Sequence, residues 1–312
     1  MKSIRFHQQG GPEVLQLEES ELPVSRAGEV LLKVDLAGVN FIDVYHRRGQ
    51  YPLPMPSGIG IEGIGTVESG ERFFWLSALG SYAQYVALPQ DSLTVLPPTS
   101  LSDEELLPLL CQGMTAHYLM DAAYPAKTGE VALVTAAAGG VGMLLIQLLK
   151  HQGVKVIALT SSPERSKIAS EYGADVVGLY SQMGELVRAN SDGGVNVVYD
   201  SIGKDYFDHC LDSLAPAGMY VLYGGASGPV PPFDLMRLNS RSLAIRRPTL
   251  STYTADASSR ERRLQALIAL VESQSLRYPP AKIFSIGRSR QAHELIESRQ
   301  YSGKIGIDPW KI

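Results

Sequence analysis

Three glycines in a short alanine-rich stretch, Ala136-Ala-Ala-Gly-Gly-Val-Gly142, are the residues of this sequence best suited to chemistry. They lie between an apolar, β-type run at 131–135 and a helix-type run at 143–150. With no side chains at Gly139, Gly140 and Gly142, a backbone can approach a pyrophosphate closely. The helix that follows presents unpaired N–H groups and a partial positive charge to it. As a bare pattern the stretch is weak, because Ala136 stands where the common dinucleotide fingerprint has its first glycine. A second signal lies at the end of the next β-type run, 155–159, where Thr160, Ser161, Ser162, Pro163, Glu164 and Arg165 follow in order. A site selective for NADH places Asp or Glu at that strand end to hold a ribose 2′-hydroxyl. Here hydroxyls and a guanidinium stand there instead, a set suited to a 2′-phosphate. The residues favour NADPH, with Ser161 and Arg165 as contacts, while Ser162 and Pro163 also read as N-cap and first residue of a helix. Tyr180, after the next strand, either stacks beside the adenosine or simply packs.

These residues need a parallel sheet to hold them. Beyond Gly129, apolar strand-type runs alternate with helical periods: 131–135, 143–151, 154–159, 164–172, 195–199, 204–214 and 219–223. Strands separated by helices run parallel, so a doubly wound α/β sheet is expected. Residues 3–87 read differently, as short strands broken by Gly and Pro in an all-β module. Pro52, Pro54 and Pro56 mark a loop at the surface, since each lacks a backbone donor. Ser102 with Glu105 is a capping-box pattern that opens a helix. Amphipathic helices are expected at 260–275 and 291–299.

At 312 residues the chain exceeds what one core usually serves, so two domains are expected. A net charge of −4 offers no footprint for nucleic acid or an anionic membrane and favours a small-molecule partner. Cys111 and Cys210 fit no redox or metal spacing and read as buried small hydrophobes. Residues 1–11 carry charge and Gln rather than an apolar leader, and no run of roughly 18 apolar residues occurs, so a cytoplasmic location is expected.

Asn40-Phe-Ile-Asp43, the Pro loop ending Pro56-Ser-Gly58, the glycine-rich turn and Val198-Tyr-Asp-Ser-Ile-Gly203 together resemble the medium-chain dehydrogenase/reductase superfamily. Gly224-Gly-Ala-Ser-Gly228 and Arg247-Pro-Thr-Leu250 extend the resemblance to its zinc-free quinone oxidoreductase branch, related to zeta-crystallin. The resemblance implies a Rossmann NADPH-binding domain at 113–251 and a β-rich, GroES-like catalytic domain split between 1–112 and 252–312, with the active site in the cleft between them. It implies catalytic placement for Asn40, Asp43, Tyr45 and Tyr51, although Asn40 and Asp43 also suit plain turn chemistry. Along the cofactor it implies Asn40, Thr115, Ala138, Gly139, Gly140, Val141, Gly142, Ser161, Arg165, Tyr180, Ser201, Gly224, Gly225, Arg299 and Lys304. Zinc-dependent relatives need Cys and His ligands plus a four-cysteine lobe. Two cysteines cannot furnish the lobe, and the six histidines show no paired ligand spacing, so no metal site is expected.

The activity implied is NADPH-dependent reduction of a quinone-like acceptor without metal. An enone or alkenal double-bond reductase is the near alternative, and an NADPH-binding, RNA-associated protein with little catalysis the distant one. A homodimer is implied, with the strand-type run 242–246 as a pairing edge. One departure concerns the junction at Ser69-Gly70, about a dozen residues shorter than the family pattern, as either a truncated edge or an absent mobile loop.

Overall fold

All residues, Met1–Ile312, are described in a computed structural model and divide into two compact units. The first comprises Met1–Gln112, Thr254–Ile268 and Tyr278–Ile312; the second comprises Gly113–Tyr253 and Ala269–Arg277.

The chain begins in the first unit with β1 (Lys2–Phe6), β2 (Gln16–Glu19) and β3 (Glu29–Val39), then helix α1 (Phe41–Arg47). β4 (Ser57–Gly58), β5 (Glu62–Thr66), β6 (Arg72–Trp75), β7 (Tyr85–Pro89) and β8 (Leu93–Val95) follow. β1 pairs antiparallel with β2 and β4 in a small sheet. β3 pairs antiparallel with β5 and β7; Leu32 and Val34 and, past a register shift between Val34 and Leu36, Ala37 and Val39 belong to one buried core. Beyond Leu36 the strand is buried on both faces through Val39. Pro52, Pro54 and Pro56 are all exposed.

Helix α1 corrects the all-β reading of this region. Asn40 is extended at its N-cap, and the Asp43 carboxylate accepts the Asn40 backbone N–H at 2.8 Å, which starts the helix. The short Ser69-Gly70 junction is a closed hairpin. Thr66 faces Arg72, Val67 N–H donates to Glu71 O at 3.0 Å, and Gly70, at φ +89°, donates to Val67 O at 2.9 Å.

Helix α2 (Asp103–Leu106) starts where Ser102 N–H and Oγ both donate to Glu105 Oε2, at 2.8 and 2.7 Å. After α3 (Cys111–Tyr118) come β9 (Val131–Val134), α4 (Gly140–His151), β10 (Lys155–Thr160), α5 (Pro163–Glu171), β11 (Val176–Leu179) and α6 (Met183–Asn190). β12 (Val195–Asp200), α7 (Phe207–Asp212), β13 (Leu214–Leu222) and β14 (Ala244–Arg246) complete the sheet of the second unit. Its six strands are ordered β11-β10-β9-β12-β13-β14, with every neighbouring pair parallel. Order reverses between β9 and β12, the place where doubly wound sheets open a crevice at their carboxyl ends. Helix α7 is shorter than its 204–214 pattern suggests. The Asp200 carboxylate accepts N–H groups from Ile202 and Gly203, both at 2.9 Å, and Gly203 has φ +85°, so the chain turns before it coils.

Past α8 (Leu250–Tyr253) and α9 (Ala257–Glu272) lie β15 (Lys282–Ser285), α10 (Ser289–Ser298) and β16 (Ile305–Asp308). β16 pairs antiparallel with β3 and parallel with β15, so the chain's last strand completes a seven-stranded sheet begun by its first hundred residues.

Candidate functional site

In the second unit the glycine-rich turn leaves β9 at its carboxyl end. Gly139, with φ −83° and ψ 168°, caps α4, and the N–H groups of Gly140, Val141 and Gly142 have no acceptor earlier in the helix. A Cβ at Gly142 would lie 2.5 Å from Ala136 O and 2.8 Å from Ala137 Cα, so this position must be glycine for α4 to begin so close to the turn. Ala136 itself sits at φ +47°. Its N–H donates to Tyr180 Oη at 2.8 Å, and the Tyr180 ring stacks on Tyr206 with centroids 4.2 Å apart. Tyr180 thus props the turn where an alanine replaces a glycine.

The other expected cofactor residues of this unit gather at the same sheet end. Arg165 Nη2 donates to Ala138 O at 2.9 Å, which lays the guanidinium against the turn. Ser161 is exposed directly after β10, and no carboxylate occupies residues 160–162. Ser162 Oγ accepts the Arg165 N–H at 3.4 Å and so caps α5. Ser201 N–H donates to Thr135 Oγ1 at 3.1 Å, while Thr135 Oγ1 donates to Asp200 Oδ1 at 2.5 Å. A Cβ at Gly224 would meet Ser201 O at 2.6 Å, and one at Gly203 would meet Gly225 Cα at 3.3 Å. The cradle of bare backbone thus fits a pyrophosphate, and the strand end beside Arg165 fits a 2′-phosphate. Thr115 is buried on α3.

In the first unit, α1 gathers all four expected catalytic residues. Tyr45 and Tyr51 pack edge to face with centroids 5.9 Å apart, and Tyr51 is 48% exposed. Asn40 is 7% exposed and Asp43 fully buried. Asp43 Oδ2 accepts from Asn40 N–H and, at 3.0 Å, from Tyr82 Oη, while Oδ1 has no partner. Burial pushes the Asp43 carboxyl up to about 7, against the opposing pull of those hydrogen bonds. Tyr82 Oη also lies 3.3 Å from His293 Nε2 on α10. Burial brings that imidazole down to about 3 and holds it neutral.

Two of the expected site residues have no exposed surface. Asp43, which the resemblance places among the catalytic residues, ties the start of α1 to Tyr82. The resemblance also implies Lys304 along the cofactor. Its Nζ pairs with Glu62 Oε2 and donates to Asn40 Oδ1 at 2.9 Å. Arg299 is the C-cap of α10, at φ +57°. Cys210 is buried as expected, whereas Cys111 is only partly so.

Glu62, Tyr82 and His293 escape the sequence reading. Only Glu62 carries a signal: a lone acid in the run Gly58-Ile-Gly-Ile-Glu62-Gly-Ile-Gly65 demands a buried partner.

A parallel sheet with a phosphate-accepting turn at its switch point, in one chain with a β-rich unit that presents polar and aromatic side chains, defines a dinucleotide-dependent oxidoreductase of dehydrogenase type. Comparison with known proteins narrows the class. A family model described as zinc-binding dehydrogenase matches residues 140–272, and one described as the alcohol dehydrogenase GroES-like domain matches residues 26–76. The quinone oxidoreductase of Pseudomonas aeruginosa is 35% identical over 324 residues, covering 99% of this chain and 99% of that protein. A 2-haloacrylate reductase from a Burkholderia species is 36% identical over 325 residues, covering 97% of this chain and 98% of that one. The Escherichia coli quinone oxidoreductase, solved in complex with NADPH, matches with a TM-score of 0.93 at 32% identity, covering 99% of this chain and 100% of that chain. The chain belongs to the medium-chain dehydrogenase/reductase superfamily, in its quinone oxidoreductase branch. Zinc, which the first family model invokes, has no donor set here: no three His, Cys, Asp or Glu side chains converge.

Proposed function

We propose that this chain is an NADPH-dependent reductase of a quinone-like acceptor. The observation that carries the reading is the cofactor cradle of the second unit: bare backbone at Gly142 and Gly224, Arg165 against the turn, and hydroxyls where an NADH site keeps an acid. The acceptor class is supported by relatives named quinone oxidoreductase at 33–35% identity over almost the whole chain.

NADPH, when bound, supplies the hydride. The chain's own contribution is binding, orientation and charge stabilisation. Gly139, Gly140, Val141 and Gly142 hold the pyrophosphate, and Ser161 and Arg165 the 2′-phosphate. Thr115, Ala138, Ser201, Gly225 and Arg299 add further contacts. A quinone is already electrophilic, so an N–H of Asn40 or the Tyr45 hydroxyl has only to stabilise oxyanion charge as it develops, while Tyr51 walls the acceptor. A 2-haloacrylate reductase among the relatives favours, as the second reading, reduction of an activated carbon–carbon double bond. We place the enzyme in the cytoplasm; no helix is long and apolar enough to cross a membrane. We also assign it a homodimeric state, supported by the open edge of β14 and by Leu235 and Met236, 73% and 70% exposed on the turn leading to it.

Calorimetry with both cofactors tests the cradle. Arg165→Ala is expected to weaken NADPH about tenfold or more, the worth of a lost charge-assisted contact, and to leave NADH within about threefold. Equal losses for both cofactors would refute the 2′-phosphate role. NADPH oxidation against a quinone panel and an enone panel ranks the two acceptor readings, and a quinone rate far below the enone rate reverses their order.

A further inference from the structure

We propose that Glu62 and Lys304 are positioning residues that lock the carboxamide of Asn40 in one of its two orientations, so that it offers a fixed N–H to the reacting end of the site. The inference rests on the reductase reading above, and it replaces the cofactor contact that the resemblance implies for Lys304.

Three strand ends bring the group together. Asn40 follows β3, Glu62 opens β5, and Lys304 immediately precedes β16, while β3 pairs with both other strands. Lys304 Nζ and Glu62 Oε2 form an ion pair with no exposed surface on either side chain. Lys304 Nζ also donates to Asn40 Oδ1 at 2.9 Å, and Asn40 Nδ2 donates to Glu62 Oε2 at 2.8 Å. The other carboxylate oxygen, Oε1, accepts the Cys111 N–H at 2.5 Å, which fixes Glu62 in turn.

A carboxamide rotated by half a turn has nearly the same shape, so packing alone sets its direction poorly. Opposite charges on its two ends set it well. Rotation here would turn the Asn40 amide nitrogen toward an ammonium and its oxygen toward a carboxylate, and both contacts repel. One of the two Nδ2 hydrogens is taken by Glu62, so the second remains to donate. The fold makes room for this arrangement. Gly38 on β3 faces Glu62 in register, and a Cβ there would lie 1.9 Å from Glu62 Oε2 and 3.0 Å from Lys304 Cε.

Turnover of the full-length enzyme with NADPH and 1,4-benzoquinone tests the proposal. The double variant Glu62→Gln/Lys304→Met removes both charges and leaves none buried alone. It is expected to keep NADPH affinity within about twofold and the acceptor KM within about threefold, while kcat falls about tenfold, part of the ~100-fold that outright loss of an oxyanion donor costs. Asn40→Ala is expected to lower kcat in the parent and to add little in the double variant, because residues that act as one unit are not additive. Parental kcat in the double variant, or an undiminished Asn40→Ala effect within it, would overturn the proposal. If the double variant does not fold, Glu62→Gln alone decides. Its side-chain oxygen still accepts from Lys304, and a kcat fall of about threefold at unchanged NADPH affinity is expected, against none if Asn40 needs no orienting. A parent enzyme that oxidises no NADPH with the quinone refutes the reductase reading itself, a result distinct from all of these.

Discussion

In the unfolded chain Asp43 titrates near 3.8 and His293 near 6.5, whereas in the fold Asp43 rises to about 7 and His293 falls to about 3. Between about pH 4 and 6.5 the unfolded chain keeps one proton on the imidazole, and the folded chain keeps one on the carboxyl. The numbers of bound protons match, so the two pH dependences cancel in that window. Removing either group unmasks the other. In Asp43→Asn only the depressed histidine remains, and stability relative to the parent should fall as pH drops from 6.5 toward 3. In His293→Gln only the raised carboxyl remains; its contribution is complete below 3.8 and is lost as pH climbs toward 7. Each slope approaches about 1.4 kcal/mol per pH unit, with opposite signs. Urea unfolding at several pH values between 4 and 7 checks this, and slopes of the same sign would show that Asp43, Tyr82 and His293 do not form the neutral chain described here. None of this is legible in the sequence, because Asp43 and Tyr82 stand 39 residues apart, and Tyr82 and His293 stand 211 apart.

The elements were legible where one local cause decides them. The β9–turn–α4 unit follows from apolar period and glycine placement, and Ser102 with Glu105 does start a helix. Helix α1 had a signal of the same kind in Asn40-Phe-Ile-Asp43, but one short acid three residues past an Asn reads equally well as a turn. The departure at Ala136 carries a prediction. A non-glycine residue in the left-handed region costs about 1–2 kcal/mol. Ala136→Gly should therefore stabilise by about 0.5–1 kcal/mol net of the entropy that glycine adds to the unfolded chain. Gly142→Ala works against the same turn. Its Cβ would press on the backbone of Ala136 and Ala137 rather than on a movable side chain, with an expected loss of about 1–3 kcal/mol and weakened NADPH binding. Thermal melts of the two variants should move in opposite directions. A lower melting temperature for Ala136→Gly would mean that Tyr180, whose hydroxyl accepts the Ala136 N–H, already removes the strain.

At the scale of the whole molecule, the alternating βα pattern foretold a doubly wound sheet, whereas pairing of β16 with β3 joins residues far apart in the chain and leaves no local trace. The sheet of the second unit ends at β14, three residues long, whose outer N–H and C=O groups face no further strand. Short edge strands ordinarily protect a sheet from pairing, but here the preceding turn holds Leu235 and Met236 in solvent, two large apolar side chains that a monomer gains nothing by exposing. A second copy placed edge to edge through a two-fold axis would extend the sheet and cover both patches at once, because such an interface uses the same surface twice. Light scattering at micromolar concentration is therefore expected to give the mass of two chains. Leu235→Glu/Met236→Glu should shift the population to one chain per particle while NADPH affinity stays within about threefold, since neither residue belongs to the glycine-rich cradle. A parent that runs as a single chain, or a double variant that stays dimeric, would place the interface elsewhere or remove it.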